Sequence, residues 1–137
     1  MIHGIRQRVH WTHDELPGKQ FSTEEELIAA LLNHRYSRVK GIFLNGDRKK
    51  ITPGEFPHLS DFCEALYAFS VTTREDLEMI CRLMDDCQYE SPSDYVHDAD
   101  LEPGTWVYVD FLDRWVHVNR LLRELTQTIT AMDEQSQ

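Results

Sequence analysis

The chain contains no apolar run longer than Leu27 to Leu32, far short of the roughly 20 residues that span a bilayer. The first residues, Met1-Ile2-His3-Gly4-Ile5-Arg6, lack the apolar stretch of a secretory leader. A cytoplasmic location is therefore expected. Cysteine is scarce, with three residues (Cys63, Cys81 and Cys87) at spacings that make no disulfide framework. Small core hydrophobes in a reducing compartment are the expected role.

Cations are missing from the later sequence. Residues 1–50 hold nine Lys/Arg and six Asp/Glu, whereas residues 51–137 hold five basic and eighteen acidic side chains, a net of -13 against +3. Affinity for phosphate backbones and anionic lipids needs clustered Lys and Arg. Direct nucleic-acid and membrane binding are therefore not expected, and a basic protein is the matched partner.

Signature loops are absent as well. There is no Walker loop, no G-x-G-x-x-G, no G-x-S-x-G and no H-E-x-x-H. His10-x-x-His13-Asp14 lacks a third metal ligand of defined spacing. Asp98-Ala99-Asp100-Leu101-Glu102 begins like an EF-hand, but Pro103 takes the sixth position and Val109 the twelfth. No metal and no cofactor are expected.

What remains is a globular composition, 41% hydrophobic and 28% charged, in 137 residues. One domain is expected over 1–132, with a frayed tail at 133–137. Period-two alternation predicts a strand over 5–11. Ser22-Thr23-Glu24-Glu25 reads as a capping box, with the serine as cap, opening a helix over 23–34. Val39 to Leu44 reads as a strand ending at the turn signal Asn45-Gly46. Leu59, Phe62, Cys63, Leu66 and Phe69 fall at helical spacing. Thr73-Arg74-Glu75-Asp76 caps a third helix, and a short link predicts that the two pack as a hairpin. Residues 88–104 form a loop, Thr105 to Val118 is strand-like, and Asn119 caps a last helix over 119–132. The order β-α-β-α-α-β-β-α predicts an α/β fold of the α+β type, a small mixed or antiparallel sheet with about four helices against it.

Two features suggest function. If Phe111 faces Arg114 in a hairpin, Val107, Val109, Val116 and Val118 share one face, and Trp106, Tyr108, Asp110, Trp115 and His117 the other. The valine face is expected to bury against helices. The aromatic face is either covered, by the last helix or the long loop, or open for recognition. Secondly, Asp85 to Asp113 carries nine carboxylates without a lysine or arginine. A solvated face is the plain reading. The sharper one is a nucleic-acid mimic whose carboxylates stand in for phosphates in a partner's basic groove.

The expected function is accordingly a non-enzymatic inhibitor or immunity-type protein of the anti-nuclease, anti-restriction or anti-CRISPR class. It neutralises one basic partner (nuclease, toxin or nucleic-acid-handling protein) through Asp98, Asp100, Glu102, Trp106, Tyr108, Asp110, Trp115 and His117. One alternative is a small hydrolase-type enzyme using His117, Asp110 and Tyr108 for acid–base chemistry. Another is a salt-dependent homo-oligomer in which Arg48, Lys49 and Lys50 dock on a second copy's acidic stretch.

Overall fold

The computed structural model describes residues 10–135. Strands β1 (Ile42–Asn45), β2 (Lys50–Ile51), β3 (Leu66–Val71), β4 (Gly104–Val109) and β5 (Arg114–His117) form one antiparallel sheet in the order β2-β1-β3-β4-β5. The helices are α1 (Glu24–Tyr36), α2 (Leu59–Ala65), α3 (Arg74–Asp86) and α4 (Val118–Gln135). This is the expected α+β class, with the expected elements in order and β2 and β3 in addition. The strand expected over 5–11 lies outside the described residues except at His10 and Trp11. Trp11 forms an isolated bridge with Phe21, through N–H···O bonds of 2.8 and 3.0 Å.

Local chemistry accounts for most element ends. Thr23, not Ser22, caps α1: its hydroxyl accepts from the Glu26 N–H at 3.2 Å, and the Glu26 carboxylate accepts from the Ser22 N–H. Thr73 caps α3 in the same way as expected. The Asn45 side chain accepts from the Asp47 and Lys49 N–H groups, both at 3.0 Å, which closes the β1–β2 hairpin.

The second helix departs from expectation. It stops at Ala65, and Leu66–Val71 forms the central strand β3 instead of a further helical turn. Consequently α2 and α3 are joined through a strand and are not a helix hairpin. Leu66 and Phe69 fit a helical period, but Tyr67, Phe69 and Val71 fit a strand equally well. A short apolar run does not choose between these; pairing with both β1 and β4 does.

The register explains the core. Ile51, Phe43, Phe69, Trp106 and His117 are cross-strand partners in one row over all five strands, and none is more than 6% exposed. They meet Leu32 and Tyr36 of α1, Phe62 of α2, and Leu77, Ile80 and Met84 of α3 in a single cluster. The adjoining row, Leu44, Ala68, Val107 and Val116, points to the other face and is only half-buried. The expected burial of the two hairpin faces is thus inverted: the aromatic face is the core and the valine face is the open one.

Helix α4 differs from the others. Leu121, Leu122, Leu125, Ile129 and Met132 are all exposed, so its apolar side is not laid against the sheet.

Candidate functional site

The β4–β5 hairpin pairs Trp106 with His117, Val107 with Val116, Tyr108 with Trp115 and Val109 with Arg114. Its turn therefore comprises Asp110 to Asp113, with Asp113 left-handed at φ 51. The expected register is displaced by two residues. A shift of two keeps every side chain on its face, so the grouping of aromatics survives although the partners change.

Burial removes three of the expected binding residues from the surface. Trp106 is fully buried and Trp115 and His117 nearly so. The loop expected over 88–104 covers them: the Trp106 indole donates to the Glu102 carbonyl and the Trp115 indole to the Glu90 carbonyl, each at 3.0 Å. The Arg74 guanidinium holds the same loop through the Asp98 and Leu101 carbonyls at 3.1 Å. Each indole N–H thereby finds a partner, as burial requires. The open-surface reading of Trp106, Trp115 and His117 is corrected on these grounds.

His117 has a structural use for both ring nitrogens. Nδ1 accepts from the Arg120 N–H at 3.1 Å, so His117 rather than Asn119 caps α4, and Nε2 meets the Pro103 carbonyl at 2.9 Å. Gly104 adopts φ +130, and a Cβ there would lie 2.8 Å from Nε2, so the glycine makes room for the ring. Tyr108 faces Trp115, and its hydroxyl donates to Asp113. The His117–Tyr108–Asp110 acid–base set is not assembled.

The acidic stretch divides between the two ends of β4, about 20 Å apart for a six-residue strand. At one end Asp100 and Glu102 are ion-paired with Arg120 (3.4 Å) and Arg123 (3.1 Å) of α4. Asp98 sits in the 3-10 turn beside them. At the other end Asp110, Glu90 and Asp113 gather around phenols. The Asp110 carboxylate accepts from Tyr67 at 3.3 Å, and Glu90 accepts from Tyr95.

This second end opens into the most developed concavity among the described residues, an open groove of about 680 Å³. Asp47, Glu64, Glu90 and Asp110 line it, with Tyr67, Tyr89 and Tyr108, and no lysine or arginine does. Cys63 also lines the groove, but its hydrogen bond to Cys87, together with burial, pushes its thiol up, away from the thiolate a nucleophile needs. Phe111 stands beside Asp110 at 87% exposure, and Leu112 is exposed next to it.

No family model, curated protein or solved structure matches the chain. The groove must therefore be read from its own chemistry. Its potential is registered by its phenols. The Asp113 hydrogen bond, with some desolvation, pushes Tyr108 up to about 12. Tyr67 is raised by desolvation and then by Asp110, Tyr89 by desolvation and then by Glu64, and Tyr95 by desolvation and then by its bond to Glu90. Tyr36, bonded to Asp86, is raised too, chiefly by burial.

All five tyrosines of the chain are therefore displaced in one direction, which alkaline spectrophotometric titration reads directly. In the folded protein no phenol should ionise at its ordinary value near pH 10, and in denaturant all five should return there. The raised pKa values contribute stability that is complete below the unfolded value and is lost as pH climbs through the folded one, toward about 12 for Tyr108. Asp113→Asn should bring Tyr108 back down. Five phenols titrating normally in the native chain would contradict the groove's charge.

Of the expected binding residues, Tyr108 and Asp110 belong to this groove, and Asp98, Asp100 and Glu102 lie at the far end of β4. Asp47, Glu64 and Tyr67 were missed. They come from the β1–β2 turn, α2 and β3, and nothing in their local sequence marks them.

Proposed function

We propose that the chain is a non-enzymatic inhibitor or immunity-type protein that neutralises one basic protein partner through the acidic tyrosine groove. The observation that carries this reading is the lining: four carboxylates and three phenols around one concavity, with no cation among them. A lysine or arginine entering it meets a charge-assisted hydrogen-bond acceptor and an aromatic face together. Phe111, at the rim, supplies the kind of apolar anchor on which interface energies concentrate. Fixed carboxylates at this density can stand in for phosphates, which is why a nuclease or other nucleic-acid-handling protein is the preferred partner class. Free nucleic acid would be repelled. Free thiols at Cys63, Cys81 and Cys87 suit a cytoplasmic setting, and no described helix is long and apolar enough to cross a membrane.

The homo-oligomeric reading through Arg48, Lys49 and Lys50 has less support. Asn45, Gly46 and Asp47 of the same turn line the groove, and Arg48 already acts on Tyr67 within the one copy.

The test is affinity capture at low salt, elution by a salt gradient, and kinetics on the protein recovered. The association rate should fall about tenfold or more as salt is raised, while dissociation changes little. A rate indifferent to salt would remove the electrostatic basis of the proposal.

A further inference from the structure

Helix α4 starts from its His117 cap and runs for 18 residues, about 27 Å. From Leu121 to Glu134 every side chain is exposed. Among the described residues nothing covers Leu122, Leu125, Ile129 or Met132, which are 56, 50, 59 and 64% exposed. Counted from Val118, these residues recur at steps of four, three, four and three. That is the narrow heptad seam of a coiled coil, not the broader stripe by which a helix lies on a sheet. The sequence between is poor in strong helix formers: Thr126, Thr128 and Thr130 each turn a hydroxyl back to the carbonyl four residues earlier. An isolated helix of this length and composition is marginal in water. It needs something packed along the seam.

We infer that the occupant is α4 of a second copy, paired antiparallel. In that alignment Leu122 meets the second copy's Met132, and Leu125 meets its Ile129. The positions flanking the seam, Asn119, Leu121, Thr126 and Thr128, are uncharged, so two copies bring no like charges together along most of its length. Orientation follows from charge. The chain carries -10 in all, and α4 holds two arginines against Glu124, Asp133 and Glu134, so about nine negative charges reside in the body. Parallel pairing would set two such bodies side by side. Antiparallel pairing places them at opposite ends of the helix pair, more than two Debye lengths (about 8 Å each) apart at physiological salt, and opposes the helix dipoles favourably. The exposed apolar side chains amount to about 500 Å² per copy, so pairing covers about 1,000 Å², the lower limit for a specific interface. Association should be reversible and fall in the micromolar range. A bilayer surface is the weaker occupant, because the polar side offers two arginines and no lysine to anionic lipid.

Sedimentation of the full chain from low to high micromolar concentration decides the matter. The weight-average mass should climb from one chain toward two. Leu125→Glu and Ile129→Glu, both at exposed positions, should hold the mass at one chain over the same range, lowering the association constant about a hundredfold or more with unchanged far-UV dichroism. In a Cys87→Ser background, Leu125→Cys mixed with Ile129→Cys should give a disulfide-linked heterodimer in preference to either homodimer. A wild-type chain that stays monomeric, with or without affinity for anionic vesicles, overturns the proposal. So do glutamate variants that still associate, and a preference for the cysteine homodimers overturns the antiparallel arrangement. None of these outcomes depends on the groove, which lies at the other end of β4.

Discussion

Replacing Trp106 by alanine should lower unfolding stability by about 3–5 kcal/mol, a large part of the 5–15 kcal/mol that holds an ordinary domain. Trp106 is the centre of the buried row: it pairs with Phe69 on one side and His117 on the other, and is fully buried. Its ring meets the His117 imidazole edge-on at 4.9 Å, and its N–H holds the covering loop at Glu102. The truncation therefore opens a cavity, leaves the Glu102 carbonyl short of a donor, and loosens the ring that caps α4. Urea denaturation followed by far-UV dichroism measures it. Val107→Ala, one residue away on the half-buried face, provides the contrast and should cost about 1 kcal/mol. If the two variants unfolded at the same denaturant concentration, the inverted burial of the hairpin faces would be wrong.

Reversing two charges in the groove, Glu90→Lys with Asp110→Lys, should slow association with the captured basic partner by about ten- to a hundredfold and weaken the complex further through dissociation. Both carboxylates line the groove, and neither belongs to the buried core, so the fold should tolerate the change. Asp98→Asn, in the 3-10 turn toward the opposite end of β4, should leave binding within about twofold. The comparison separates a located site from a general effect of acidity, since both variants make the protein less negative. Equal losses would mean that net charge alone attracts the partner; a loss confined to Asp98→Asn would move the site to the base of α4.

The hairpin shows how far side-chain pattern reaches. Alternation along Trp106 to Val118 sorted the side chains into an aromatic and a valine face, and the structure keeps that sorting in a different register. Alternation is a property of the extended backbone and needs no partner. Which face goes inside is another matter. Valine is as good a core residue as tryptophan, and the choice fell to the aromatics because Glu90 and Glu102 offer carbonyls to both indoles while α1, α2 and α3 supply the apolar cover. Those contacts join residues up to 25 positions apart.

The groove was legible only in part for the same reason. The carboxylates from Asp85 to Asp113 and the tyrosines among them could be counted. Their division between the two ends of β4 could not, nor the arrival of Asp47, Glu64 and Tyr67 from three other elements. Arg120 and Arg123, distant in sequence, neutralise one end and leave the other uncompensated.

By itself the sequence determined the α+β class, the helix caps at Thr73 and near Ser22, the turn at Asn45-Gly46, the acidic excess and the composition of each hairpin face. All of these depend on backbone geometry, on hydrogen bonds between residues a few positions apart, or on simple counting. Tertiary structure decided that Leu66–Val71 is a strand, that the aromatics are core, that the carboxylates form one open groove, and that the apolar side of α4 faces outward. Each of those outcomes compares burial among competing long-range packings, and a local pattern carries no information about which packing removes the most apolar surface from water while leaving every buried polar group a partner.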